Sequence, residues 1–146
     1  MTYDNEKDDE LEMFIEAQDT VWRDVLSELQ AGEKEGHWMW FVFPQLAELG
    51  QSYMSQLYGL ESLTEAEAYL GHDELQRRLL VVSSLMLEHA DKGADRVLGN
   101  IDAQKLKSCM TLFAAVQNAP PIFQQVLDAL FDGAPCAHTV AALNRT

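Results

Sequence analysis

Cysteine is scarce in this chain: Cys109 and Cys136 are the two examples in 146 residues. They form no paired motif and fall far short of a secreted disulfide scaffold, so a reducing cytoplasm is the expected setting. Basic residues are also few, with 10 Lys and Arg against 24 Asp and Glu and a formal charge of −14. The average field therefore repels polyphosphates and anionic membrane surfaces, and nucleic acid is not expected as a partner. A small anionic ligand remains compatible with this charge, because a local cation or helix N-terminus acts over a shorter range than the screened net field. No run approaches the roughly 18 apolar residues of a membrane span, so no membrane partner is expected. The opening residues, from Met1 to Glu10, are polar and acidic, unlike the basic and apolar start of a signal peptide. The common catalytic templates are missing too. There is no Gly-x-Ser-x-Gly, phosphate loop, dinucleotide-binding glycine motif or helical zinc pattern, and the four histidines are scattered. Neither a metal nor a cofactor is expected.

What is present is an ordinary globular composition, 47% apolar and 23% charged, in a chain long enough to bury a core of its own. Residues 1–8 carry charge without apolar periodicity and read as a disordered leader. From Asp9, the positions Leu11, Phe14, Ile15, Gln18, Trp22, Val25, Leu26 and Leu29 recur at helical steps and predict a long first helix. Gly32 ends it. His37–Phe43 is an apolar run bounded by Pro44, read as a short helix or a buried extended segment. A helical stretch follows from Ser52 to Tyr58. Ser62 and Glu65 have the form of a capping box ahead of the next helix. Leu75, Leu79, Val82 and Met86 mark a helix to about Ala90, stopped by Gly93. Asp102 reads as the N-cap of a helix carrying Leu106, Met110 and Phe113, which Pro120 and Pro121 end. Ile122–Phe131 and His138–Asn144 complete the chain. The expected fold is all-α: a compact single-domain bundle of about six to eight helices over residues 9–146.

The segment Gly32–Ser52 concentrates the polar chemistry. Lys34, His37, Gln45 and Ser52 supply a cation, an imidazole, an amide and a hydroxyl among the rings of Trp38, Trp40, Phe41 and Phe43. Such a mixture suits a planar polar ligand; equally, the aromatics are core and the polar groups satisfy buried backbone at an irregular turn. His37 is the candidate for proton transfer, with Lys34 three residues before it as the candidate anion contact or a solvated charge paired with Glu33 or Glu35. Gln18, a polar residue on an apolar stripe, either ties down backbone or points into a pocket. Cys109 lies within a predicted helix with no adjacent base and reads as buried and inert. Lys105, Ser108 and Thr111 can share one helical face, either holding an anion or back-bonding their own helix.

Taken together, these strings resemble a known family. Phe14-Ile15-Glu16-Ala17-Gln18, Gly32-x-Lys34-x-x-His37-Trp38-Met39-Trp40-Phe41-Val42-Phe43-Pro44-Gln45 and Leu49-Gly50-x-Ser52 resemble the bacterial family called Domain of Unknown Function 1810. The likeness continues through Glu65-Ala66, Tyr69-Leu70, His72, Arg78-Leu79, Asp102, Lys105-Leu106 and Met110–Phe113. The resemblance implies a compact, mainly helical domain and carries no catalytic residue with it. The chain departs from the family at Glu33, where a basic residue is usual, at Asp73, where proline is usual, and at Cys109, where serine is usual.

Two functional expectations follow. In the first, the chain is a small-molecule-binding or enzymatic domain for a nucleotide-like or anionic ligand. Lys34 and His37 are then the catalytic candidates, Trp38 and Trp40 the walls, Arg78 a further anion contact, and Gln18, Gln45 and Ser52 orienting groups. In the second, the chain is a non-enzymatic regulatory protein whose acidic surface meets a basic protein partner.

Overall fold

The computed structural model describes the backbone of residues 2–145 and the side chains of residues 10–145. Its longest element is α1 (Thr2–Ala31), which is helical from ahead of the Asp9 start that the apolar pattern gives and through the stretch read as a disordered leader. The stripe on α1 faces inward: Phe14, Gln18, Val25 and Leu29 are buried, and Leu11, Ile15 and Trp22 pack partly against the core. Gly32, at φ +74°, closes the helix with a pair of turn hydrogen bonds, Gly32 N to Leu29 O and Glu33 N to Glu28 O. This left-handed stop satisfies carbonyls that the helix end would leave free.

The ambiguous aromatic run becomes α2 (Met39–Val42), a single turn with Met39, Phe41 and Val42 buried. A 3₁₀ turn at Ala47–Leu49 and α3 (Tyr53–Leu57) follow, the latter capped by Ser52, whose Oγ accepts from Ser55 N. Among the described residues there is no strand; one isolated parallel bridge joins Leu46 to Leu60. Helix α4 (Leu63–Gly71) starts on the expected cap, with Ser62 Oγ accepting from Glu65 N. Glu65 Oε1 reciprocates one residue earlier than the standard box, at Glu61 N.

Helix α5 (Asp73–Glu88) buries Leu75, Leu79, Val82 and Met86, the side that the periodicity marks. It packs on α1, α4 and α8 (Ile122–Leu130). Gly93, read as a stop, is also the start of a short unforeseen helix, α6 (Ala94–Leu98). Helix α7 (Asn100–Ala114) begins after Gly99, at φ +88°, so Asp102 lies in its first turn and is not its cap. Helix α7 is the centre of the molecule. Its buried Leu106, Cys109, Met110, Leu112 and Phe113 meet α4, α6, α8 and α9 (Ala137–Asn144). The all-α class therefore holds, with nine α-helices among the described residues. The helices beyond the expected number are single turns, too short to show a period.

Candidate functional site

The loop between α1 and α2 is built around one carboxylate. Glu28 Oε1 accepts from Glu35 N at 2.7 Å, Gly36 N at 2.9 Å and Trp38 Nε1 at 3.0 Å. Burial opposes the ionised form, but these donors and the nearby Lys34 outweigh it and hold the Glu28 carboxyl below its ordinary value. Lys34 turns inward beneath this loop. Its side chain is 7% exposed, pairs with Asp102 Oδ2 at 2.8 Å, donates to Gly36 O and lies 5.0 Å from the Trp38 ring centroid. Its backbone N–H donates to Val97 O on α6. The ammonium thus ties the loop to α7, and the Lys34 backbone N–H ties it to α6. Trp38 is buried in the core. His37 is exposed at the surface of the same loop, and it lines none of the cavities described below.

Gln18 and Arg78 form a second group, where α5 crosses α1. Gln18 is 1% exposed; its Nε2 donates to Phe41 O at 2.7 Å and Tyr69 Oη at 3.1 Å. Its Oε1 accepts from Arg78 Nη1 at 3.3 Å. Arg78 also pairs with Asp19 and Glu74 and lies over the Trp22 ring. The charge of Arg78 is answered by two carboxylates, and Gln18 is a backbone tie that anchors α2 to α1.

Trp40, Gln45 and Ser52 belong to a third group, and here a cleft opens. It has a volume of about 640 Å³, between the Gln45–Ser55 segment on one side and α7 with the start of α9 on the other. From α7 come Ile101, Gln104, Lys105 and Ser108, whose spacing puts them on one helical face. From α9 comes His138, from the residue just before it Cys136, and from the opposite wall Gln45, Ser52 and Ser55. A narrow crevice of about 10 Å³ shares Gln45, Ser55 and Lys105 with the cleft and reaches Trp40 and Tyr58. Lys105 Nζ is 5.3 Å from the Trp40 ring centroid and 3.6 Å from Asp102 Oδ1. Glu48, the acid of the cleft wall, is paired with Arg145.

The two cysteines differ sharply. Burial pushes the Cys109 thiol well above its ordinary value, in line with an inert core residue. Cys136 is half-buried; burial opposes its ionisation too, but Ser108, the Thr139 hydroxyl and the Thr139 and His138 backbone N–H groups outweigh burial and lower its value. Ser108 and Thr111 do back-bond α7, to Gln104 O and Lys107 O, and each also meets Cys136. Ser108 Oγ is 3.3 Å from its sulfur, and Thr111 Oγ1 accepts its N–H at 2.8 Å. The face of Lys105 and Ser108 was visible in the sequence. Cys136 and His138 were not, because they reach that face across a 28-residue separation between Ser108 and Cys136 that no local pattern encodes.

Elsewhere, a groove of about 260 Å³ runs beside α1, lined by apolar residues such as Leu11, Phe14, Leu57 and Leu60, with Glu10, Glu61 and Glu65 among them. Its described polar groups are carboxylates, an amide and a hydroxyl with no cation, whereas the 640 Å³ cleft carries Lys105, Cys136 and His138. Among the described residues, no three His, Cys, Asp or Glu side chains converge as a metal site requires. No helix of the described residues is long and apolar enough to cross a membrane.

Fold and cleft together define a compact all-helical domain with an open recess in which polar and apolar side chains are mixed. The chain belongs to the family described as protein of unknown function DUF1810, whose model matches residues 8–143. It is similar to the crystal structure of the conserved hypothetical protein Rv1873 from Mycobacterium tuberculosis. The identity is 44% and the TM-score 0.90, over 93% of this chain and 97% of that one. No curated protein matches the chain.

Proposed function

We propose that this is a small-molecule-binding domain that takes a small anionic ligand in the cleft between the Gln45–Ser55 segment and α7. The observation that carries the reading is Lys105: the one cation of the cleft among the described residues, held over the Trp40 ring, beside the amides of Gln45 and Gln104 and the hydroxyls of Ser52 and Ser108, on a protein of charge −14. Ligand sites are commonly about 300–1,000 Å³ with a few convergent polar groups, and a cleft of about 640 Å³ falls within that range. In this reading Lys105 receives the anion, Gln45 and Ser52 orient polar edges, and Trp40 forms the rigid floor behind them. Lys34, His37, Gln18, Trp38 and Arg78 lie outside the cleft and hold the scaffold or its surface.

The test is a thermal-shift screen of small carboxylates and phosphorylated metabolites against the full chain, with hits measured by calorimetry. At a ligand concentration of about 100 Kd, a binder stabilises the folded state by roughly 2.7 kcal/mol. Gln45→Ala and Lys105→Met should remove the response, while Arg77→Ala, on the outer face of α5, should keep it. A screen in which no anion raises the midpoint, or hits that survive Lys105→Met unchanged, sinks the proposal. A stoichiometric, salt-sensitive basic protein recovered in place of any small ligand would favour the acidic-surface reading.

A further inference from the structure

We infer that the groove between α1, α3 and α4 is a docking site for a protein partner: an amphipathic helix with apolar anchors on one face and Lys or Arg beside them. The groove shares no lining residue with the anion cleft, so the inference stands apart from the binding proposal.

The walls of the groove are helix faces. Glu10, Met13 and Phe14 recur along α1 at steps of three and four, and Thr64 and Ala68 lie four apart on α4. Phe14 and Leu60 are buried and form its floor. Its volume of about 260 Å³ falls short of the roughly 300–1,000 Å³ of small-molecule pockets but suits apolar side chains entering from a partner helix. The apolar surface also runs on beyond the groove. Leu57, on the groove wall, is 39% exposed, and Tyr53, 77% exposed, precedes it by four residues on α3. That spacing sets the two on one face, about 6 Å apart along the axis. A small molecule seated in the groove leaves Tyr53 bare, whereas a helix with anchors one turn apart covers both. Met13, unbranched and flexible, lets the groove adapt to the anchor it receives.

Charge selects the occupant. Glu10 stands on the α1 side and Glu61 and Glu65 on the α4 side, and no cation lines the groove among the described residues. The ion pairs of the described residues leave out all three carboxylates. Glu65 is held at the rim by Glu61 N–H, which its Oε1 accepts at 3.0 Å. A second copy of the chain would bring another −14 to this rim, and an anionic lipid surface is repelled in the same way. An apolar anchor flanked by Lys or Arg meets a carboxylate on either side instead.

The probe is a fluorescein-labelled peptide of Leu, Lys and Ala, about 14 residues or roughly four turns long, with its Leu residues at helical steps on one face. The full chain is titrated into it and binding is followed by anisotropy. A scrambled peptide of the same composition keeps the charge and loses the apolar face. The patterned peptide should bind one per chain and at least about tenfold more tightly than the scrambled one. Leu57→Ser should weaken it by about tenfold, with circular dichroism confirming the helical fold. Glu10→Gln combined with Glu61→Gln should weaken it at least about threefold more than Glu88→Gln combined with Asp95→Asn, which removes the same charge from α5 and α6. With carbon-13 in the methionine methyls, the Met13 resonance should move during the titration while that of Met110, 0% exposed in the core, stays in place. No binding of the patterned peptide, or equal affinity for the two peptides, overturns the inference. Equal losses in the two charge variants do the same, because the net field alone then holds the peptide. So does a Met13 resonance that is unmoved at saturation, or a chain that dimerises through Leu57 in sedimentation and shuts the peptide out.

Discussion

At the scale of single residues, Glu28 and Gln18 show how one side chain can hold an irregular segment. Glu28 Oε1 accepts three donors from the Glu35–Trp38 stretch, one of them the indole N–H of a tryptophan that is 1% exposed. Removing the carboxylate strands that N–H, so Glu28→Ala should cost about 1–3 kcal/mol in urea denaturation. The pH dependence has a definite sign. The folded carboxyl ionises below its ordinary value of 4.5, so its contribution is complete above pH 4.5 and is lost as pH falls through the folded value. The stability gap between wild type and Glu28→Gln should therefore narrow as pH is lowered from about 5 to about 3. A gap independent of pH would show that the charge of Glu28 contributes nothing. For Gln18→Leu, Phe41 O and Tyr69 Oη lose their shared donor, and a loss of about 1–3 kcal/mol is expected by the same measurement. That Gln18 was exceptional was legible, because it interrupts an apolar stripe. Its partners were not, since they lie 23 and 51 residues away.

At the scale of elements, legibility followed length. Helices α1, α5 and α7 span several turns, so their apolar periods could be read, and most of the positions so marked are buried, whereas α4 was read from its capping box and α8 as a span alone. Helices α2 and α6 have four and five residues, about one turn, and a single turn has no period to display. The start of α7 was misread for a different reason. Asp102 has the chemistry of an N-cap, but Gly99 turns the chain in the left-handed region and starts the helix earlier, leaving the Asp102 carboxylate to take Lys34 and Lys105. The same limit hid the cleft wall. It depends on the Leu46–Leu60 bridge and on Gly59, where a Cβ would come within 2.4 Å of Ala47 Cα and 2.5 Å of Ser55 O. Both obstacles are backbone and cannot swing aside. Gly59→Ala should lower stability by about 1–3 kcal/mol in thermal or urea unfolding and displace the Gln45–Ser55 wall, abolishing the ligand response of the folded fraction. Gly71→Ala, at the end of α4 with nothing within 4 Å of the added Cβ, should change stability by less than about 1 kcal/mol. Equal losses in the two variants would mean that the bridge does not set the wall.

For the molecule as a whole, the charge count was legible at once, whereas the placement of the charges required the fold. Lys34, Arg77, Arg78, Lys105 and Arg145 are all paired with acids. With 24 acids against 10 bases, and only Asp19, Glu48, Glu74 and Asp102 in ion pairs among the described residues, the mutual repulsion of the carboxylates acts against the compact state. Salt screens this repulsion over distances longer than the Debye length, about 30 Å at 10 mM and about 8 Å at 150 mM. The largely buried Lys34–Asp102 contact, at 2.8 Å, lies well inside either length and is screened little. Repulsion should therefore weaken more than attraction. Raising sodium chloride from about 10 to about 150 mM should raise stability by about 1 kcal/mol, or roughly 2–4 °C in the thermal midpoint. A midpoint that falls with salt would instead mean that the ion pairs outweigh the net field. The same screening bears on the cleft: an anion approaching a −14 surface meets long-range repulsion before it meets Lys105. Its association rate should increase with salt while its dissociation rate, governed by short-range contacts, changes less. Stopped-flow binding across the same salt range gives the sign: a falling association rate would place the dominant field around the cleft on the positive side.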